Sequence, residues 1–320
     1  MILLAALPGL ALSACGDDDD ATEAARPAPQ ASSFPPPDGR TVEQIASDYS
    51  ADDLVLAPSG QLYTTGRNRF GFAVFEVDRT QVTDAEVALY AAPADGGRAK
   101  GPFPARVESL ETEPAFTAET TAADPDAPQN VYVADVTLDE PGEWRMVGLV
   151  RGSDGEYSLA SVAGAVIVTE RDQVPAPGEK APRVHTPTRD DVANIEEIDT
   201  RVPPGTMHED DLADVLGKEP VVLLFATPAL CQTRVCGPVV DVAEQVKRDM
   251  PDAASYIHME IYEDNIAKRN NLRPQVTAYN LPTEPWLFVI DCEGVIDTRI
   301  EGAFSVGELT HAVERVQDTC

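Results

Sequence analysis

The sequence predicts a multidomain chain, an N-terminal all-β sandwich followed by an α/β domain, on three observations. Apolar residues fall on alternate positions from about residue 51 to residue 170, with Gly, Pro and Asp clusters between the runs. A proline-rich stretch over 171–205 then breaks any regular pattern. From residue 206 onward strand-like apolar runs alternate with helical ones. A length of 320 residues also exceeds what one compact domain usually holds.

In the first region Phe70, Phe72 and Val74 share one face of a strand, as do Val87 and Leu89. Val131, Val133, Trp144, Met146, Val166 and Val168 continue the pattern, and the clusters ADGG, DPDAP, EPGE and GSDGE supply turns. Many short strands separated by turns predict an antiparallel sandwich over 51–170. The run Pro141-Gly142-Glu143-Trp144-Arg145-Met146 resembles the turn and late strand of bacterial immunoglobulin-like modules, which implies an immunoglobulin-like sandwich. The region holds no cysteine or histidine, so a thiol relay or a cysteine/histidine metal site is not expected inside it.

The chain opens on fourteen mostly apolar residues that stop at Cys15. Leu12-Ser13-Ala14-Cys15-Gly16 resembles the lipobox of bacterial lipoproteins. The resemblance implies a signal peptide over 1–14, cleavage before Cys15 and a diacylglyceryl group on its thiol. It therefore implies an extracytoplasmic protein held at the cell membrane by lipid. No Lys or Arg precedes the run, which predicts a translation start upstream of Met1. The run is too short for a membrane-spanning helix, which needs about 20 residues. Residues 15–50 (GDDDD, ARPAPQ, SSFPPPDG) are acidic and proline-rich, the composition of a disordered tether. Residues 171–205 form a second linker, in which Gly178-Glu179-Lys180-Ala181-Pro182 resembles a short motif at the start of peroxiredoxins and tethered thioredoxin-like proteins.

The formal net charge is −31, from 55 acidic and 24 basic residues. Such a chain repels phosphate backbones, so nucleic acid is excluded as a partner class.

In the last third, Val221 to Phe225 reads as a buried strand, and Val239, Val242, Ala243 and Val246 mark a helix over 238–250. Tyr256 to Ile261 is a second strand. Trp286 to Ile290 and Val295 to Ile300 form a hairpin around Asp291-Cys292-Glu293-Gly294. Ser305 with Glu308 three residues on is a capping box that opens a final helix. The order β-α-β then β-β-α resembles the thioredoxin fold. Phe225-Ala226-Thr227-Pro228-Ala229-Leu230-Cys231 is similar to the family's run from strand to nucleophile, and Glu284-Pro285-Trp286-Leu287-Phe288-Val289 to its cis-proline segment. The resemblance covers about 206–320 and implies a thioredoxin-like domain in which Pro285 is cis and faces the cysteines.

The cysteine spacing departs from that family. Cys231 and Cys236 enclose four residues where thioredoxins have two. Thr227-Pro228-Ala229-Leu230-Cys231 through Cys236-Gly237 is closer to a group of bacterial peroxiredoxins, although Thr227 stands one residue too far from Cys231. Five residues along an intact helix rise about 7.5 Å, beyond the roughly 7 Å that a disulfide spans. The pair closes only if Cys231 lies in the loop before the helix, or if a first turn of the helix unwinds. Pro238, favoured at a first helical turn, supports that placement. Cys236 would then sit at the positive helix end, near Arg234, where a thiolate is favoured. In a thioredoxin fold the hairpin turn and the end of the last helix meet at the far side of the sheet. The resemblance therefore implies a structural disulfide between Cys292 and Cys320.

These readings converge on a membrane-anchored thiol-disulfide oxidoreductase acting on extracytoplasmic protein thiols and disulfides. Cys231 attacks, Cys236 resolves and Pro285 shapes the receiving groove; no cofactor and no metal is called for. Two alternatives stand beside it. One is a thiol peroxidase in which Cys231 reduces a peroxide held by Thr227. The other is a binding or structural lipoprotein with a static disulfide. The four histidines show no metal-ligand spacing and read as surface or capping residues, and Glu260, Glu263 and Asp264 as a solvated edge.

Overall fold

The computed structural model describes residues 25–50, 54–231, 233–268 and 271–320. Cys15 and the expected signal peptide lie outside them. A short helix, α1 (Val42–Ala46), precedes ten strands: β1 (Leu54–Pro58), β2 (Tyr63–Thr64), β3 (Gly66–Glu76), β4 (Gln81–Val82), β5 (Glu86–Pro93), β6 (Lys100–Ser109), β7 (Asn130–Leu138), β8 (Gly142–Arg151), β9 (Tyr157–Val162) and β10 (Val166–Thr169). Helix α2 (Glu119–Ala122) sits in the crossover between β6 and β7.

Seven of these strands run in the order β8-β5-β6-β7-β3-β1-β9, and β9 pairs back onto β8. Ala160 closes the ring, opposite Leu54 of β1 on one side and Gly148 of β8 on the other. The immunoglobulin-like sandwich expected over 51–170 is thus corrected: this unit is a single sheet closed into a seven-stranded barrel. Alternation divides each strand into an inner and an outer face in either architecture. What separates them is the parallel pairing of β9 with β1, a contact between strands remote in sequence. Phe70, Phe72, Val74, Leu89, Tyr132 and Trp144 fill the barrel.

The outer face is partly covered as well. Phe34, Val42 and Ile45 pack on Ala88, Tyr90 and Leu149 outside the barrel. Residues 25–50 therefore lie along the wall instead of standing off as a tether. The prolines there hold extended chain, Tyr90 Oη donates to Pro35 O at 2.6 Å, and Thr41 caps α1 through a capping box with Gln44.

The second unit contains α3 (Leu212–Val215), β11 (Val221–Phe225), α4 (Cys236–Asp249), β12 (Ser255–Met259), α5 (Pro274–Ala278), β13 (Trp286–Ile290), β14 (Ile296–Glu301) and α6 (Val306–Thr319). Its sheet has the order β12-β11-β13-β14, with β12 parallel to β11 and the other two pairings antiparallel. That order and those directions are the thioredoxin fold. All five residues of β11 are buried because both faces of the sheet are covered. Val222 and Leu224 meet α4 and α6, while Leu223 and Phe225 meet Tyr279 and Phe288.

The two units share a core. Val131 and Val133, on the outer face of β7, join the cluster of α4 and α6. Around it, Glu308 receives Arg69 and Arg106, each at 2.7 Å, and Ser305 Oγ donates to Glu108 at 2.6 Å. Gly302, with φ +85°, passes so close to β1 that a Cβ there would lie 2.1 Å from Ser59 O. Among the described residues no helix is long and apolar enough to cross a membrane.

Candidate redox site

Strand β11 ends at Phe225 and the chain turns through Thr227 to Leu230 before α4 begins at Cys236. Cys231 therefore lies in the loop, partly exposed, and Cys236 is the first helical residue, fully buried. Their Cα atoms are 5.9 Å apart and their sulfurs are bonded. This separation is below what five residues of helix would give, because Cys231 is outside the helix. Arg234 takes φ +60° at the tightest part of the loop.

The opposite wall is the segment before β13. The Glu284–Pro285 peptide is cis, and Glu284 Oε2 lies 3.8 Å from Cys236 Sγ. A carboxylate oxygen of Glu284 and both sulfurs lie within 4.8 Å of one another. Tyr262 Oη donates to the other oxygen at 3.3 Å. Burial raises the Glu284 pKa to about 7, and the charge of Glu260 pushes the same way. Near neutral pH this carboxyl can therefore either give or take a proton beside the inner sulfur.

The barrel supplies the remaining walls. Arg234 Nη1 binds Asp124 and Asp126 of the β6–β7 crossover, each at 2.6 Å. Its charge is shared with these two barrel carboxylates, partners that the sequence reading did not foresee. Two clefts flank the loop. One, of about 560 Å³, is lined by Asp124, Asp126, Pro228, Cys231, Arg234 and Pro238. The other, of about 590 Å³ and mainly apolar, lies between β1, β3 and the loop, with Val55, Phe75, Val77 and Val235 on its walls.

Thr227 is fully buried, and its hydroxyl has no hydrogen-bond partner among the described residues. The hydroxyl beside Cys231 is that of Thr233, 3.2 Å from Sγ. Cys292 and Cys320 are bonded to each other, with Cα atoms 5.8 Å apart, between the β13–β14 turn and the end of α6.

Three groups escaped the sequence reading. Glu284 was quoted in the cis-proline segment without a role. Glu260 is buried, not on a solvated edge, and accepts from Thr200 N at 2.7 Å and Thr200 Oγ1 at 2.8 Å. His208 and His258 are buried together, with ring centroids 5.2 Å apart. They lie far apart in sequence, so no local spacing signals their meeting.

No protein-family model matches the chain, and no curated protein does. Among solved structures, a Chlorobium tepidum chain described as a DsbE-type thiol:disulfide interchange protein is 14% identical, with 45% of this chain and 99% of that one covered and a TM-score of 0.31. A second Chlorobium tepidum structure, a thiol:disulfide interchange protein of the thioredoxin family, is 17% identical, covering 46% and 99% at a TM-score of 0.29. A thioredoxin-like superfamily protein is 15% identical, covering 43% and 96% at 0.29. Likeness at this level carries no chemistry across; the fold rests on the strand order above.

Proposed function

We propose that the chain is an extracytoplasmic thiol-disulfide oxidoreductase, tethered to the cell membrane through lipid on Cys15, that exchanges with thiols and disulfides of other proteins. One observation carries the redox reading: a closed Cys231–Cys236 pair at the start of α4, with the Glu284 carboxyl against its inner sulfur. In the reducing direction, the Cys231 thiolate attacks a substrate disulfide, forming a mixed disulfide and releasing one substrate thiolate. Cys236 then loses its proton to the Glu284 carboxylate and attacks Cys231 Sγ. The Cys231–Cys236 disulfide re-forms and the second substrate thiolate leaves. The oxidising direction is the reverse. Attack falls to Cys231 because it is the more exposed sulfur and lines the cleft; Cys236, sealed at the helix start, resolves.

The peroxidase alternative gave Thr227 the task of holding a peroxide oxygen, and that hydroxyl is sealed within the core. Insulin reduction with dithiothreitol, run beside peroxide turnover, separates the readings. Catalysed insulin reduction is expected; peroxide turnover alone favours the peroxidase, and silence in both assays a binding protein.

The anchor rests on the sequence. A full chain expressed in a host that processes lipoproteins is expected to partition into detergent, and a Cys15→Ser variant into the aqueous phase. Equal partitioning of the two would contradict it.

A further inference from the structure

Behind the redox loop lies a buried cluster that the proposed exchange does not use. Asp199 and His208 come from the chain joining the two units and His258 from β12; none is more than 2% exposed. His208 Nε2 lies 3.0 Å from Asp199 Oδ2, and His258 Nδ1 lies 3.8 Å from Asp199 Oδ1. One donor atom from each of the three residues falls within 4.8 Å of the other two.

His258 Nε2 is 3.0 Å from the carbonyl of Ala226 and must carry a proton to bond it. That fixes the ring and aims Nδ1 at the cluster. Nδ1 is buried and has no hydrogen-bond partner among the described residues. As a lone pair it lacks a donor, and as N–H it faces the Asp199 carboxylate at 3.8 Å, close enough for charge attraction but too long for a hydrogen bond, so its hydrogen-bonding capacity goes unused in a dry interior. The Asp199 carboxylate is held in place by Arg201 N at 2.8 Å and Gly205 N at 2.7 Å.

We propose that Asp199, His208 and His258 form a binding site for a divalent transition-metal ion, with Zn²⁺ the ion that the donors suit best. Two imidazole nitrogens and one carboxylate are zinc ligands. Calcium and magnesium prefer oxygen alone. Tetrahedral bonds of about 2.0–2.2 Å put neighbouring ligand atoms about 3.3–3.5 Å apart, and one donor atom from each of the three residues already lies within 4.8 Å of the other two, so small side-chain adjustments bring them to that span. The bond from His258 to a backbone carbonyl is the outer contact that metal-bound imidazoles make. On binding, His208 Nε2 and any protonated Nδ1 of His258 release their protons to solvent.

The ion would pin the 199–208 segment onto β12. That segment also supports the redox loop, since Ala229 N donates to Thr200 Oγ1 at 3.1 Å. With its ligands sealed, the ion loads as the segment folds and exchanges slowly. The site stands whether or not the cysteines exchange.

The test uses the full chain purified in detergent, unfolded in chelator without reductant and refolded with Zn²⁺ or Co²⁺ alone, then desalted. One retained equivalent is expected, with visible d–d bands of low-coordinate Co²⁺. His208→Gln and His258→Gln should weaken retention by at least about 100-fold, more than loss of an outer-shell partner, while His185→Gln should not. Should those variants fail to fold, ¹⁵N spectra of the wild-type histidines decide: Zn²⁺ should shift the ring nitrogens of His208 and His258. No retained metal, retention unaffected by the variants, or shifts confined to His185 and His311 would overturn the site.

Discussion

Glu284 is where the chemistry of single residues is most exposed to test. It lies against Cys236, and its pKa is raised to about 7 from the usual 4.5 by burial. For an acid raised on folding, the folded protein keeps a proton that the unfolded chain has released. Stability therefore falls as pH rises from about 4.5 to about 7 and then levels off. The cost at and above neutral pH is at most about 3 kcal/mol. Glu284→Gln should flatten that window in the oxidised protein, read as denaturant midpoints from pH 4 to 8 (a range of roughly four units around the shift). It should also slow resolution of the mixed disulfide by about 10²-fold, the low end for a positioned proton carrier. A variant with unchanged pH dependence and unchanged resolution would remove Glu284 from the mechanism. The cysteines themselves were legible from spacing and a helix start. Glu284 was visible only as a neighbour of Pro285, because its meaning comes from a sulfur in another element. His208 and His258 were opaque for the same reason: the fold, and no local pattern, brings them to Asp199.

At the scale of elements, local signals read well and long-range pairings did not. The Ser305–Glu308 capping box opens α6 as its sequence implies. The same Glu308 also binds Arg69 and Arg106 of the barrel, which no capping pattern announces. Strand β7 shows the limit of periodicity. Val131 and Val133 face the α/β unit while Tyr132, Ala134 and Val136 face the barrel interior, so both faces are apolar and alternation is blurred. Barrel closure depends on the parallel β1–β9 ladder, and pairing of remote strands leaves no mark on either strand's own pattern. Composition likewise suggested a free tether over 15–50. Three apolar residues, Phe34, Val42 and Ile45, suffice to lay part of it on the barrel wall.

Across the whole molecule, the barrel is a wall of the redox site as well as a neighbour to it. Asp124 and Asp126 hold Arg234 in the middle of the cysteine loop, and β1 and β3 line the apolar cleft beside it. In the proposed exchange, attack therefore falls to Cys231, the sulfur of the pair that lines the cleft among the described residues. The succession of strands and helices along the α/β unit was legible from its runs of apolar residues; the shared core with the barrel was not, since it is built from the outer face of a strand that the sequence assigns to another domain. The central claim is that Cys231 exchanges with a partner and Cys236 resolves. Its most direct measurement is trapping: incubate single-cysteine variants with a disulfide-bearing protein and determine the mixed disulfides by mass spectrometry. Cys236→Ser should accumulate an adduct through Cys231, and Cys231→Ser should accumulate little. An adduct chiefly through Cys236, or none with either variant while Cys231–Cys236 in the wild type resists dithiothreitol as Cys292–Cys320 does, would contradict the account.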